Sequence, residues 1–183
     1  MKRLVIDTET TGLSPEFHKT LTVGMLLVDV EHDFLEILDS NHLLIKHDNW
    51  RIDPAALKIN KIDINEHVKR AVYPDLACKQ INNFIERNEL THTPLLGHNI
   101  SFDRGFLREL FHQGETIPKF HTSQIDTMHL WNELKRRGQI PCSFNSKLGT
   151  LADYFKVDYG QAHDALADCH ITARVYQNIL RIM

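Results

Sequence analysis

The chain has 183 residues, of which 42% are hydrophobic and 25% are charged, and its formal net charge is −3. These values are typical of a globular domain and exclude a disordered chain, so we expect a single domain over residues 1–183. The apolar runs are shorter than the roughly 20 residues of a membrane-spanning helix, the first residues do not resemble a signal peptide, and the three cysteines form no CxxC pair, which together predict a cytoplasmic protein without membrane association.

The first half of the chain begins with strand patterns. Residues 2–7 are short, apolar and β-branched, and residues 20–30 and 34–45 read as two further strands separated by a polar turn, which predicts an antiparallel pairing. Short helices are expected over residues 54–58 and 65–70. A longer helix should follow Pro74, with an apolar side made of Leu76, Ile81, Phe84 and Ile85.

The second half alternates brief strands with helices. Residues 94–98 suggest a short strand that leads into a helix beginning near Ser101, and helices are expected over residues 126–136, 148–155 and 164–182. Strands first, followed by helices interleaved with short strands, predict an α/β fold with a mixed central β-sheet flanked by α-helices. This element order, with an acid on the first strand, resembles the RNase H-like fold.

The first group of chemically active residues is Asp7-Thr8-Glu9, at the end of the first strand. Residues two apart on a strand point to the same face, about 6.6 Å from each other along the chain. Two neighbouring carboxylates on an apolar strand repel each other, and a divalent cation between them would remove the repulsion. Solvated acids at a strand end are the alternative, and this motif alone does not decide between the two.

The second group is His98-Asn99 followed by Phe102-Asp103. Asp103 falls in the first turn of a predicted helix, where an acid interacts favourably with the helix dipole. However, Asp103 shares a helical face with Leu107 and Leu110, which should point into the core. An acid at the head of a buried stripe needs a partner, and a metal ion would provide one.

The third group is His163-Asp164 followed by Asp168. Asp168 heads an apolar stripe that continues through Ile171, Val175 and Ile179, so it should face the sheet. His163 lies about 140° from Asp168 on a continuous helix, so both reach one site only if His163 lies on the preceding loop. Asp164 is interpreted as the residue that starts the helix.

In this order and at these spacings, the three motifs resemble the DnaQ-like exonucleases of the DEDDh class, which include polymerase proofreading subunits, RNase T and oligoribonuclease. The resemblance runs from about residue 3 to residue 180. The histidine five residues before the last aspartate, without a tyrosine four before it, matches the h subclass. The resemblance implies an enzyme, a metal-dependent 3′→5′ exonuclease that releases nucleoside 5′-monophosphates from a nucleic-acid 3′ end.

The resemblance also implies roles for individual residues. Asp7, Glu9, Asp103 and Asp168 would bind two divalent cations, Mg²⁺ or Mn²⁺, for which hard oxygen ligands are suited. His163 would be the general base. Substrate contacts are implied for Thr10, Leu13, His98, Asn99 and Phe102. A structural role is an equal alternative for three of them: Thr10 as a turn residue, and Leu13 and Phe102 as core residues.

Two further positions bear on the family pattern. Relatives often carry Ile-His-Gly-Ile in the nucleotide pocket, where this chain has Ile59-Asn60-Lys61-Ile62. Asn60 therefore stands where a substrate-contacting histidine is common, which leaves the contact and the substrate preference open. Asp126-Thr127 resembles a family pair at a helix start and is interpreted as structural.

Two rival functions are a non-catalytic interaction module on the same scaffold and an RNase H-like endonuclease. All four acids and the histidine are present, which argues against the first, and the His163 motif argues against the second. The negative net charge does not favour nucleic acid by itself, but bound cations reverse the local field. Single-stranded DNA is the first expectation and RNA the alternative; a polymerase or other protein partner and the oligomeric state stay open.

Overall fold

The computed structural model describes residues 1–160 and 164–183 of the chain. Five strands form one sheet in the order β3-β2-β1-β4-β5. The first three strands pair antiparallel, whereas β4 pairs parallel with β1 and β5 pairs parallel with β4. The strands are β1 (Lys2–Thr10), β2 (Thr20–Val30), β3 (Leu35–Leu44), β4 (Leu95–Gly97) and β5 (Gln124–Asp126).

Helices cover both faces of the sheet. They are α1 (Pro54–Asn60), α2 (Ile64–Arg70), α3 (Pro74–Arg87), α4 (Ile100–Gln113), α5 (Thr127–Arg136), α6 (Leu148–Phe155) and α7 (Ala165–Ile182). Apolar residues of α3 and α4 pack on one face of the sheet, and α7 packs on the other face. The outer side of α7 forms a further core with α5 and α6. None of the described helices is long and apolar enough to cross a membrane.

This architecture confirms the predicted α/β fold with a mixed sheet flanked by helices, and most predicted elements lie within a few residues of their observed bounds. Strand β1 extends to Thr10, three residues past the prediction, because its pairing with β2 continues to Thr20 and overrides the turn-prone sequence. Strand β5 was not predicted, since three residues carry no readable alternation.

One predicted core residue of α3 is wrong. Leu76 is 44% exposed, whereas Ile81, Phe84 and Ile85 are fully buried. Leu76 lies five residues before Ile81 and therefore about 140° around the helix from it. The buried side of α3 is completed instead by Ala77 and Cys78.

Candidate active site

Alternation along β1 directs two acids toward α7. Leu4 and Ile6 pack in the core under α3 and α4, whereas Val5 packs in the core under α7. Because side chains alternate along a strand, Asp7 and Glu9 continue the Val5 row. Both are partly buried, so they lie at the edge of the α7 layer, where only a part of each residue reaches solvent.

Helix α7 brings a third acid to the same place. Asp164 caps the helix, its side chain accepting a hydrogen bond from the Ala167 N–H at 3.0 Å, which confirms its predicted place at the helix start. Asp168 lies in the first turn and is 8% exposed. One carboxylate oxygen from each of Asp7, Glu9 and Asp168 can be chosen so that all three lie within 4.8 Å of one another.

Gly24 explains how α7 comes so close to β1, and sequence reasoning did not single it out. It lies directly opposite Asp7 in the register of β1 and β2. A Cβ atom at this position would stand 2.4 Å from the Ala165 carbonyl, so any side chain would push the start of α7 away from the sheet. The available signal was a lone glycine within a mostly apolar strand.

The fourth acid, Asp103, reaches the cluster from α4, on the opposite face of the sheet. It is 3% exposed, and the neighbouring Leu107 and Leu110 are buried as predicted. Its Oδ1 accepts hydrogen bonds from the Thr8 N–H at 2.9 Å and from the Thr8 hydroxyl at 2.8 Å. We refer to Asp7, Glu9, Asp103 and Asp168 together as the acidic cluster.

The acidic cluster is electrostatically unfavourable without a cation. Burial and then the charge of Asp103 hold the pKa of Asp7 well above its usual range. Burial, followed by the charges of Asp168 and Asp103, raises the pKa of Glu9 to about 8, and burial raises the pKa of Asp103 to about 7 despite its hydrogen bonds from Thr8. The donor set is made of carboxylate oxygens, which suit Mg²⁺ or Mn²⁺, so these residues fit a divalent metal site.

Tyr159 is a further neighbour of the cluster that sequence reasoning missed. Burial and the charges of Asp168, Asp7 and Glu9 raise the pKa of its phenol. Its ring packs on Gly149, where a Cβ atom would lie 3.1 Å from the ring edge. A lone tyrosine on a loop carries no sequence signal for such a position.

Asn60 and Thr10, both predicted to contact substrate, are hydrogen-bonded to each other next to Glu9. The Asn60 amide donates to the Thr10 carbonyl at 3.2 Å, and its proximity to Glu9 offsets a part of the rise that burial causes in the pKa of Glu9. The Thr10 hydroxyl donates to the Gly12 carbonyl at 2.7 Å. Leu13, by contrast, is 78% exposed and points into solvent.

The other predicted substrate residues surround the start of α4. The partly buried His98 ring is bonded through Nδ1 to the Thr127 hydroxyl at 2.9 Å and through Nε2 to the Ser146 carbonyl at 3.0 Å. Burial lowers the pKa of His98, so the neutral ring donates from Nε2 to the Ser146 carbonyl, which can only accept, and accepts at Nδ1. Phe102 packs against Phe106 with the two rings tilted and their centroids 4.8 Å apart.

Asn99 precedes α4 in the left-handed conformation, with φ of 57°. Its N–H donates to Asp126 Oδ1 at 2.9 Å, and the same oxygen accepts from the Met128 N–H. Asp126 therefore caps α5 while it fixes the start of α4, in agreement with the structural interpretation of this residue. The predicted general base, His163, lies outside the described residues.

The exonuclease family model RNase_T matches residues 4–176, which is nearly the whole chain. The chain belongs to the exonuclease family. It is 26% identical to a ribonuclease T from Buchnera aphidicola over 97% of this chain and 82% of that protein. It is 29% identical to the DNA polymerase III subunit epsilon of Salmonella typhimurium over 96% of this chain and 70% of that protein.

Solved structures share the fold of this exonuclease-family chain. E. coli exonuclease I in complex with a dT13 oligonucleotide superimposes with a TM-score of 0.80 at 19% identity, over 96% of this chain and 40% of that protein. The nuclease domain of 3′hExo, a DEDDh family member crystallised with rAMP, gives 0.78 at 22% identity over 98% of this chain and 91% of that one. The predicted RNase H-like fold, the resemblance to the exonuclease family and the exonuclease enzyme class are confirmed.

Proposed function

We propose that this exonuclease hydrolyses phosphodiester bonds from the 3′ end of single-stranded nucleic acid and releases nucleoside 5′-monophosphates by a two-metal mechanism. The observation that carries the proposal is the convergence of Asp7, Glu9 and Asp168 oxygens within 4.8 Å, with Asp103 adding its charge from the other face of the sheet. Residues 1–183 are proposed to act as one exonuclease domain in the cytoplasm.

The acidic cluster would hold two Mg²⁺ or Mn²⁺ ions, which, when bound, supply positive charge to the attacking water and to the leaving 3′-oxygen. His163 would take a proton from the water as its oxygen bonds to phosphorus. The bond between phosphorus and the 3′-oxygen breaks, which frees a 5′-monophosphate. The leaving oxygen takes a proton from solvent and becomes the new 3′-hydroxyl of the shortened strand. Thr10, Leu13, Asn99 and Phe102 would orient the terminal nucleotide.

The nature of the substrate is supported by the known proteins. The relatives include both a ribonuclease T and the epsilon subunit of DNA polymerase III, and the solved neighbours hold a dT13 oligonucleotide or rAMP. Single-stranded DNA is the first candidate. RNA is the second candidate, because these matches do not identify the groups that would sense a 2′-hydroxyl.

The test is digestion of matched DNA and RNA oligomers carrying a label at either end, with Mg²⁺ or Mn²⁺. A 5′ label should give a descending ladder, and a 3′ label should appear at once as mononucleotide. EDTA should stop both reactions. Cleavage of a circular single strand would instead favour the endonuclease, and release of mononucleotide from a 5′ label would reverse the polarity.

A further inference from the structure

The loop of residues 11–19, which joins β1 to β2 beside the acidic cluster, is closed by its own hydrogen bonds. Thr11 N–H donates to the Lys19 carbonyl at 2.9 Å, and Lys19 N–H donates to the Thr11 hydroxyl at 2.9 Å. The His18 ring lies against Gly12 so closely that a Cβ atom there would stand 2.2 Å from it. These contacts hold the loop in one conformation.

The segments on either side of the loop, helix α4 and residues 49–61, also hold it in this conformation. On one side, the Thr11 hydroxyl donates to the Arg51 carbonyl at 2.7 Å, and the Asp53 N–H donates to the Thr11 carbonyl at 2.7 Å. On the other side, the Pro15 ring packs toward Gly105 of α4, where a Cβ atom would be only 3.2 Å away. The loop is therefore fixed between α4 and the segment 49–61.

This fixed loop presents an aromatic ring to solvent. Phe17 is 51% exposed, and the Arg51 guanidinium lies over its ring, 5.4 Å from the centroid. Exposed apolar residues are common one at a time, but this ring is on a rigid loop eight residues after Glu9 and four after Leu13. Neither Phe17 nor Arg51 has a role in the chemistry proposed above.

An aromatic ring paired with a guanidinium matches the two parts of a nucleotide. Bases stack on aromatic side chains regardless of sequence, because every base has a π-face, and arginine binds phosphate with its planar fork. The surrounding segment 49–61 is locally basic, with Arg51, Lys58 and Lys61 against a single acid, Asp53, although the whole chain carries −3.

We propose that Phe17 and Arg51 form a second nucleotide subsite, in which Phe17 stacks a base upstream of the terminal nucleotide and Arg51 binds the adjacent phosphate. This subsite rests on the proposed 3′→5′ exonuclease function and deepens it. A base stacked on Phe17 cannot remain stacked in a duplex, so the subsite selects strands whose 3′ end is unpaired over more than one nucleotide.

The experiment compares Phe17→Ala with wild type on a single-stranded octamer and on the p-nitrophenyl ester of thymidine 5′-monophosphate, which has one nucleotide only. Truncation should lower kcat/KM on the octamer, through KM, by about 5- to 100-fold more than on the ester. Phe17→Tyr should restore the octamer rate. Arg51→Gln should reduce the slope of log KM against log salt by about 0.7, the share of one phosphate contact on a single strand.

The matched control is Phe34→Ala. Phe34 is 46% exposed, but it lies between β2 and β3, at the far end of the sheet from the acidic cluster. Phe34→Ala should change kcat/KM on neither the octamer nor the ester.

Octamers with one abasic position, placed from the second to the fifth nucleotide, then locate the stacked base. At one position the difference between wild type and Phe17→Ala should vanish. Equal losses on octamer and ester, or a difference that survives every abasic position, would overturn the subsite. Failure of wild type to release mononucleotide from any octamer would instead refute the proposed function itself.

Discussion

The carboxylate of Glu9 offers a direct test of the electrostatics of the acidic cluster, through the change Glu9→Gln in metal-free protein. Burial and the charges of Asp168 and Asp103 raise the pKa of Glu9 from 4.5 to about 8. Between these pH values the folded protein keeps a proton that the unfolded chain has lost. The free energy of unfolding of the wild type should therefore fall as pH rises from 4.5 to about 8.

The size of the effect follows from the separation of the two pKa values. A shift from 4.5 to about 8 corresponds to on the order of 5 kcal/mol above pH 8. Glu9 is partly exposed, so water screens its charge, and we expect Glu9→Gln to exceed wild type by about 2–3 kcal/mol at pH 8.5. The difference should shrink toward zero as pH falls through 4.5, because below this pH the carboxyl becomes protonated in the unfolded chain as well.

Urea denaturation in EDTA at several pH values measures this difference. Burial lowers the pKa of His47, His67, His98 and His170. Their contribution to the pH dependence cancels in the comparison, because wild type and Glu9→Gln both carry these histidines. Glu36→Gln, at an exposed carboxylate on β3, is the control and should leave the pH profile as in wild type. Equal stability of Glu9→Gln and wild type at pH 8.5 would refute the repulsion argument.

The remaining predictions concern catalysis. Single Asp7→Ala, Glu9→Ala, Asp103→Ala or Asp168→Ala changes should abolish nucleotide release while circular dichroism shows a folded protein; near-normal turnover in any two would contradict the two-metal assignment. His163→Ala should slow the reaction by roughly 10²–10⁴-fold, keep Mn²⁺ binding in calorimetry, and lose the rise of rate with pH through the imidazole titration. His98→Ala should keep the rise of rate with pH, because both ring nitrogens of His98 are already bonded, to Thr127 and to Ser146, so this residue is not expected to be the base. If His98→Ala lost the rise and His163→Ala kept it, the base would have been assigned to the wrong residue.

Local patterns predicted the parts of this molecule that depend on neighbouring residues. Alternation along β1 placed Asp7 and Glu9 on one face, and the apolar stripe of α7 predicted the burial of Asp168, which is 8% exposed. The capping preference of aspartate predicted Asp164 at the start of the last helix. These signals repeat within one turn of helix or two residues of strand, so a single sequence displays them.

Contacts between distant segments could not be read in the same way. The Thr8 and Asp103 hydrogen bonds span 95 residues, and the two contacts of the His98 ring span 29 and 48. Gly24 acquires its place only when α7 packs on the sheet, and Tyr159 only when its ring packs on Gly149 of α6. No periodicity connects such residues, so their places depend on register and packing that only the folded chain defines.

The unequal lengths of β1 and β4 connect the fold to the proposed chemistry. Parallel pairing between them ends at Val5 and Leu96, whereas β1 continues to Thr10. Beyond Val5 the edge of β1 that faces β4 would expose backbone donors in a buried place, which is costly unless another acceptor replaces the missing strand. Asp103 is that acceptor for Thr8, so one carboxylate both completes the backbone hydrogen bonding of β1 and adds negative charge beside Asp7. The short β4 thus opens a gap through which Asp103, on the α4 face of the sheet, approaches the acids on the α7 face. A site proposed to hold two cations can therefore draw ligands from both sides of a single sheet.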